Sequence, residues 1–340
     1  DMAVLATAEL GKKAEVLDVE LERGGPSYTW ETLHLLRERY PEDELWLLMG
    51  SDMFLTLQDW REPRQVMALA RIGAFSRLES GEEAAFARQK AFLEREYGAD
   101  VTIIPNPQVV ELSSTEVRQT LAQGGGAELL PAAVYGYILR ERLYSTHREL
   151  TGLTPDELRP IALSYLKPKR MPHVLGTEQE AVRLTRRYGG DETQARIAAL
   201  LHDCTKKLEL PEQLALCKQY GIELDALEQR ALKLLHSKTG AAIARSVFGV
   251  EDAVYDAIWY HTTGKPDMTR LEKILYLADY IEPSRDFPGV EELRKAVYED
   301  LDHGLLLGLN MTIQEMEEMG NPVHHQTRDA RDYLLKRGIR

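Results

Sequence analysis

Histidine and aspartate side chains recur in the second half of this 340-residue chain at positions where helical periodicity predicts apolar core residues. His202 comes three and four residues after Ala199 and Ala198, and Asp279 comes four residues after Leu275, so each lies on or beside the buried face of a helix. An unpaired buried carboxylate is strongly destabilising, and a shared metal ion would compensate the carboxylates and imidazoles together. The full set comprises His173, His202, Asp203, His236, His261 and Asp279.

These residue types are suited to a metal centre, and they could support hydrolysis if two ions bind. Imidazole ligands suit iron, manganese, zinc and nickel better than magnesium, and four His with two Asp can hold two ions if one carboxylate bridges them. Two ions roughly 3.5–4 Å apart can activate a water molecule and neutralise the phosphate oxygens under attack. Any one of these histidines alone is more often a hydrogen-bonded core residue, so the prediction rests on the whole set.

The order of these residues resembles the HD superfamily of metal-dependent phosphohydrolases, in which an early His precedes a His-Asp pair, two further His and a final Asp. The intervening sequence resembles one branch, the bacterial HD-domain symmetrical diadenosine tetraphosphate hydrolases, over residues 157–340. The matching segments are residues 166–176, 200–206, 260–264, 271–283 and 285–290, with a closing run through Thr327. The resemblance implies hydrolysis of diadenosine tetraphosphate and related dinucleotides to two nucleoside diphosphates. It also implies two metal ions, with iron as the first expectation and manganese as the alternative.

The resemblance assigns the ligands to two ions and leaves the phosphates to cationic side chains. It assigns His173, His202 and Asp279 to one ion, His236 and His261 to the other, and Asp203 as the bridge. A tetraphosphate carries more negative charge than two carboxylate-bound ions neutralise, so cationic side chains should complete the site. Two candidates follow, although lysine and arginine near helix ends are commonly solvated. Lys206 comes three residues after Asp203, on the same side of a helix, and Arg285 follows the Asp279 helix in a loop. Together with Asp203 they form the predicted catalytic group, and His303, His324 and His325 are interpreted as surface or structural residues.

The first half of the chain alternates short β-like runs with helices. Strands are predicted at residues 14–21, 44–49, 71–75 and 101–104, and an amphipathic helix is predicted at residues 28–40. This alternation favours a parallel α/β sheet that binds ligands at the carboxyl ends of its strands. Gly50 and Asp52 come at such a strand end.

This half resembles the C-terminal two-thirds of bacterial nicotinate mononucleotide adenylyltransferase. The matching pieces are residues 26–33, 48–52, 60, 112–118, 134–138 and 143–144. The resemblance implies ATP, Mg²⁺ and nicotinate mononucleotide as ligands of an intact protein. Amides at a helix start and a nearby arginine favour phosphate, and a flat indole favours an aromatic ring. The implied nucleotide-binding residues are Tyr28, Thr29, Gly50, Asp52, Trp60, Ser113, Ser114, Thr115 and Arg118.

Two of these features also have structural explanations, and one family motif is absent. Ser113 to Glu116 satisfies an ordinary capping box, and Trp60 alone could be a core residue. The family's Gly-Gly-x-Phe-x-Pro-x-His-x-Gly-His stretch does not occur, since His34 is the only histidine before residue 147. The chain also begins at Asp1, so we expect that an N-terminal piece is missing. Residues 1–340 are therefore predicted to have little or no adenylyltransferase activity, whereas an intact parent would be bifunctional.

The sequence therefore predicts two domains. Residues 1–146 form an incomplete Rossmann-like α/β nucleotidyltransferase domain, residues 147–156 a polar linker, and residues 157–340 an all-α HD-domain helical bundle. A net charge of −13 argues against a basic nucleic-acid-binding surface. No apolar run approaches the roughly 18 residues of a membrane helix. Two cysteines suit a reducing compartment, so we expect a cytoplasmic protein, and a homo-oligomer is compatible with the sequence.

Three functional hypotheses compete at this point. The first is a dinucleoside tetraphosphatase joined to an adenylyltransferase domain. The second is an HD phosphohydrolase of another nucleotide specificity, such as a cyclic-dinucleotide phosphodiesterase or a guanosine tetraphosphate hydrolase. The third is a non-catalytic nucleotide sensor, against which the complete ligand set argues, because a sensor has no physical need to keep every metal ligand.

Overall fold

The computed structural model describes residues 1–75, 83–105 and 112–339, and the chain divides into two compact units. The smaller unit is Val16–Val117, and the larger one combines Asp1–Glu15 with Arg118–Arg340. The predicted linker at residues 147–156 thus lies inside the larger unit, and its last two residues already belong to a helix. The compact units therefore do not coincide with the predicted domains, whose bounds stay a prediction.

The described residues form eighteen α-helices and three β-strands. The strands are β1 (Trp46–Gly50), β2 (Arg71–Phe75) and β3 (Val101–Ile104). The helices are α1 (Met2–Ala6), α2 (Val19–Arg23), α3 (Thr29–Arg39), α4 (Ser51–Phe54), α5 (Pro63–Leu69), α6 (Glu83–Tyr97), α7 (Ser114–Ala122), α8 (Ala132–Arg140), α9 (Pro155–Ser164), α10 (Met171–Tyr188), α11 (Glu192–Leu201), α12 (Leu210–Gln219), α13 (Leu232–Phe248), α14 (Asp252–Tyr260), α15 (Arg270–Ile281), α16 (Val290–Glu299), α17 (Leu301–Glu318) and α18 (His325–Lys336).

The smaller unit is built on a parallel sheet of order β1-β2-β3. Leu47 pairs with Ile72, which pairs in turn with Val101, so apolar residues of all three strands share one face. Phe54 and Leu93 from flanking helices are fully buried in the same core. Parallel strands need such cover because their connections place helices on the sheet faces. The α/β character predicted for the first half of the chain and the helical character predicted for the second half are confirmed.

Three of the four predicted strands are confirmed, and the first is wrong. Residues 14–21 form no strand; instead they lead into α2, which begins at Val19. Alternation of apolar and polar residues is a local signal, whereas a strand also needs a neighbour for its backbone hydrogen bonds. In the described part of the chain, no strand pairs with this segment.

The larger unit contains helices only, among its described residues. Thr154 and Thr269 begin α9 and α15 with capping boxes, and Asp191 caps α11 by accepting from two backbone amides. Helix α15 is the central element, since it packs against α10, α11, α14 and α17 and buries Leu275 and Leu277 completely. Within the described residues, no helix is both long and apolar enough to span a bilayer.

Close packing of α8 on α9 depends on a glycine. A Cβ atom at Gly136 would lie 1.9 Å from the carbonyl oxygen of Pro160, which is a backbone atom and cannot move aside alone. By contrast, a Cβ at Gly308 in α17 would lie 3.4 Å from the Tyr280 ring, an ordinary contact distance. The two helical glycines therefore form a matched pair.

We expect Gly136→Ala to destabilise the protein by about 3 kcal/mol, because the added methyl group overpacks a helix interface. Gly308→Ala should be neutral or stabilising by up to about 1 kcal/mol, since alanine is the better helix former. Denaturant unfolding of both variants, followed by circular dichroism, measures the difference. Equal stability of the two variants would contradict the α8–α9 packing.

Candidate metal centre

The structure brings all six predicted metal-ligating side chains into one cluster. His173, His236 and Asp279 lie within α10, α13 and α15, whereas His202 and His261 directly follow the last residues of α11 and α14. Five of the six side chains are buried, and Asp279 is the most accessible at 20%. Five helices from distant parts of the sequence thus converge on one centre.

Asp203 lies between two groups of ligands. Its Oδ2 atom lies 3.5 Å from Nε2 of His202 and 3.9 Å from Nε2 of His173, while Oδ1 lies 3.3 Å from Nε2 of His236. His173 in turn lies 3.0 Å from Oδ1 of Asp279, and His236 lies 3.1 Å from His261. The two carboxylate oxygens of Asp203 therefore face different histidines, as a bridging ligand requires.

Three of the four histidines are oriented through their Nδ1 atoms. Nδ1 of His202 lies 2.6 Å from the carbonyl oxygen of Ala199, and Nδ1 of His261 lies 2.6 Å from that of Ile258. Each histidine thus uses a free carbonyl in the last turn of the preceding helix. Donation from Nδ1 leaves Nε2 unprotonated and directed into the cluster, which is the arrangement of metal-ligating histidines.

His173 is oriented by a buried carboxylate that the sequence analysis missed. Its Nδ1 lies 3.0 Å from Oε1 of Glu282. The Ser284 hydroxyl donates to the same Oε1, and the Ser284 amide donates to Oε2. Gly176 provides the space, because a Cβ there would lie 2.5 Å from Oε2 of Glu282. The Glu-Pro sequence after α15 gave no periodic signal, since Glu282 acts from a helix end.

The donor set fits first-row metal ions. Nε2 of His202 and Oδ1 of Asp203 are buried and make no hydrogen bond within the described residues. Neighbouring donor atoms lie 3.0–3.9 Å apart, close to the separation of about 3–3.5 Å expected for ligands roughly 2.1 Å from a common ion. Burying polar atoms without partners costs free energy, and a bound cation would provide the missing partner for both atoms.

Burial and charge shift the pKa values in the direction that metal binding requires. Burial lowers the pKa of His202 to about 4 and also lowers those of His236 and His261. Burial alone would raise the pKa of Asp203, but His202, His236 and the nearby cations hold it below its ordinary value. Neutral imidazoles and an ionised carboxylate are the protonation states of metal ligands.

Among the described residues, three cationic side chains surround the cluster, and one of them was not predicted. Nζ of Lys206 lies 3.0 Å from Nε2 of His236 and 4.0 Å from Asp203, and burial lowers its pKa. Arg285 donates to the backbone and side-chain oxygens of Asp279 at 2.9 and 2.7 Å. Arg170 donates to Oδ2 of Asp203. Its position three residues before His173 was the available sequence signal.

A cavity of about 630 Å³ opens beside the cluster. Its lining includes Lys206, His236, His261, Asp279 and Arg285. Helices α15 and α17 and the loop after α15 contribute aromatic, hydroxyl and carboxylate groups to the remaining wall. The volume is in the range of pockets for nucleotide-sized ligands.

The surroundings of Cys204 and His324 suit structural roles. Cys204 is buried, and burial raises its pKa to about 12, which suits a packing role. His324 is buried and caps α18 by accepting from the Gln326 amide, while His303 and His325 are exposed.

In the smaller unit, the structure brings together part of the predicted nucleotide-binding set. Gly50, Asp52 and Trp60 line one cavity of about 350 Å³ at the carboxyl end of β1. Tyr28, next to Thr29 at the start of α3, lies under the guanidinium of Arg61 at 4.4 Å.

The predicted phosphate-binding segment has local structural roles. Ser113 forms the expected capping box with Glu116, and Ser114 and Thr115 begin α7. None of these three hydroxyl residues lines the cavity beside Trp60. Arg118 stacks over the Tyr144 ring at 5.4 Å.

We expect Asp203→Asn to lower the metal content of purified protein from about two ions to one or fewer, because it removes a bridging charge between two groups of ligands. Asp252→Asn, which changes an exposed carboxylate on α14, is the matched control and should retain the metal. Elemental analysis after gel filtration measures both. Full metal content in Asp203→Asn would exclude a bridging role.

Comparisons with known proteins agree with this geometry. The HD domain family matches residues 170–284. A symmetrical bis(5'-nucleosyl)-tetraphosphatase of Halalkalibacterium halodurans is 37% identical over 51% of this chain and 95% of its own length. A probable nicotinate-nucleotide adenylyltransferase/Ap4A hydrolase of Mycoplasma pneumoniae is 28% identical and covers 79% of this chain and 68% of its own.

A solved structure shows the same helical fold. It is a predicted HD superfamily hydrolase involved in NAD metabolism from Clostridium acetobutylicum, with 44% identity and a TM-score of 0.53. The match covers 54% of this chain and 98% of that one. This chain belongs to the HD-domain family of symmetrical bis(5'-nucleosyl)-tetraphosphatases and joins that domain to a segment with nicotinate-nucleotide adenylyltransferase relatives.

Proposed function

We propose that this protein hydrolyses diadenosine tetraphosphate and related dinucleoside tetraphosphates symmetrically, to two nucleoside diphosphates, in a metal-dependent reaction. The single observation that carries the proposal is the buried His and Asp cluster, which opens into a nucleotide-sized cavity and is bordered by three cations. The names of the relatives support the same reaction class.

Two metal ions, iron or manganese, complete the proposed site. His173, His202 and Asp279 would hold one ion, His236 and His261 the other, and Asp203 both. When bound, such ions supply Lewis acidity for activating water and for stabilising charge on phosphate oxygens. Nitrogen-rich ligand sets favour these ions over magnesium.

The chain's own cations position the polyphosphate. Lys206, Arg285 and Arg170 now compensate Asp203 and Asp279. Metal ions would take over that compensation and leave the cations available for phosphate oxygens, for which arginine's planar fork is well matched. Lys206 and Arg285 also line the cavity, so they can contact a bound polyphosphate directly.

Symmetrical cleavage requires attack at one of the two central phosphorus atoms. Water forms the new P–O bond there, the central bridging P–O bond breaks, and the second nucleoside diphosphate leaves with the electron pair. Cations that bind the leaving diphosphate stabilise its developing charge in the transition state. The cleavage position therefore depends on how the cations and the cavity hold the two halves of the substrate.

For the first half of the chain, we propose nucleotide binding. Gly50, Asp52 and Trp60 around one cavity support it. The indole offers a face for an aromatic ring. Catalysis of adenylyl transfer by residues 1–340 is not expected, because the histidine pair of the family motif is absent from this sequence.

We expect manganese- or iron-loaded protein to convert diadenosine tetraphosphate to ADP as the sole nucleotide product. Asp203→Asn should abolish turnover, and Asp252→Asn should retain it, because only the first changes the ligand set. Chromatographic separation of the nucleotides measures the products. AMP plus ATP would mean a different cleavage position. No turnover by the metal-loaded protein would favour another substrate or a sensing role.

We expect Lys206→Met to lower kcat/KM by about 100-fold, the usual cost of removing one charge-stabilising group from a transition state. The exposed Lys233 on α13 provides a matched control, and Lys233→Met should leave kcat/KM unchanged. Steady-state kinetics at fixed metal concentration gives both values. A loss confined to metal content would show that Lys206 stabilises the ligands instead.

A further inference from the structure

The cavity beside the metal centre has two chemically different walls. Lys206 and Arg285 lie next to the predicted ligands, whereas Glu315 and Glu318 on α17 contribute carboxylates elsewhere in the lining. A polyphosphate is attracted to the first pair and repelled by the second. Electrostatics therefore favours one orientation of a nucleotide in this cavity. Its phosphates lie near the cations, and its uncharged part lies along α17.

The loop after α15 links the cationic wall to an aromatic surface. Arg285 is held by its two hydrogen bonds to Asp279, and Phe287, two residues later, stacks on the Tyr280 ring with centroids 5.4 Å apart and planes inclined by 29°. Two residues of chain span at most about 7 Å. Phe287 is thus held a short distance from a phosphate-binding candidate, and it lines the cavity half-buried.

Helix α17 supplies a second apolar group, Met311, to the cavity lining. Met311, Gln314, Glu315 and Glu318 recur at three- and four-residue spacing, so they share the face that lines the cavity. Gly289 brings the loop close to this helix, because a Cβ there would lie 2.9 Å from Cε of Met311 and its φ is +87°.

Hydrogen bonds fix the same face of α17 against α15. The Thr312 hydroxyl lies 3.3 and 3.4 Å from the hydroxyl groups of Tyr276 and Tyr280. The wall that carries Met311 is therefore attached to the helix that carries Asp279.

We propose that Phe287 and Met311 form a binding subsite for the nucleobase of a nucleotide whose phosphates lie at Lys206 and Arg285. The subsite rests on the function proposed above, because it concerns the other end of the same substrate. An aromatic ring and a polarisable thioether match the face of a base, and neither carries a charge that would attract phosphate. Stacking is tolerant of base identity, so the subsite selects nucleotides over inorganic polyphosphates and discriminates little between adenine and guanine.

Isothermal titration calorimetry on manganese-loaded protein tests the subsite with two probes, ADP and inorganic pyrophosphate. Phe287→Ala should weaken ADP binding about tenfold or more, which is typical of a lost base stack, and should leave pyrophosphate binding unchanged. Phe287→Trp keeps an aromatic face and should retain ADP affinity. GDP should lose affinity in Phe287→Ala by the same factor as ADP.

Met311→Ala should also weaken ADP binding selectively. The matched control is Met319→Ala. Met319 directly follows α17, is exposed and does not line the cavity. Unchanged ADP affinity in Phe287→Ala, or an equal loss for ADP and pyrophosphate, would overturn the subsite.

The same titrations separate this inference from the proposed function. Wild-type protein that binds ADP through Phe287 but does not cleave diadenosine tetraphosphate would overturn the proposed reaction and keep the subsite. Wild-type protein that cleaves the dinucleotide with no selective effect of Phe287→Ala would keep the reaction and overturn the subsite. Binding of neither probe to metal-loaded protein would contradict both.

Discussion

The larger unit depends on one constraint: the negative charge of the buried Asp203 carboxylate must be compensated. An isolated carboxylate at this depth is strongly unfavourable, so the fold must supply positive charge or donors around it. Arg170 and Lys206 supply positive charge to it from two different parts of the chain. The pKa of Asp203 stays below its ordinary value because this compensation outweighs burial. Lys206 also lines the cavity, so one electrostatic arrangement serves both stability and the proposed chemistry.

Helix ends orient the imidazoles of this centre. His202 and His261 each follow a helix and approach a carbonyl in its last turn through Nδ1. Such carbonyls lack partners within their own helix, so the hydrogen bond satisfies the helix end and fixes the ring at once. His173 uses Glu282 for the same purpose, just beyond the end of α15. The ligand atoms are therefore positioned by rigid backbone as well as by packing.

Helix α15 and the loop after it connect the candidate metal centre to the cavity. Asp279, Arg285 and Phe287 follow one another within nine residues and connect a predicted ligand, a cation and an aromatic surface. Their order along the chain matches the order of ion, phosphate and base that we propose for a bound nucleotide. This correspondence supports a substrate that lies along the cavity with its phosphates at the cluster.

The sequence by itself determined the types and order of the predicted ligands and three of the four predicted strands. It also predicted a helix at residues 28–40, which the structure has at Thr29–Arg39. Periodicity and capping act over a few residues, so they can be deduced locally. Tertiary structure alone decided that Asp203 faces two groups of histidines, that Arg170 and Glu282 join the cluster, and that Phe287 meets Tyr280. It also decided that residues 14–21 form no strand. Each of these outcomes depends on contacts between segments that are distant in sequence. The free energy of a buried charge or an unpaired strand is set by such neighbours, which a local sequence pattern does not reveal.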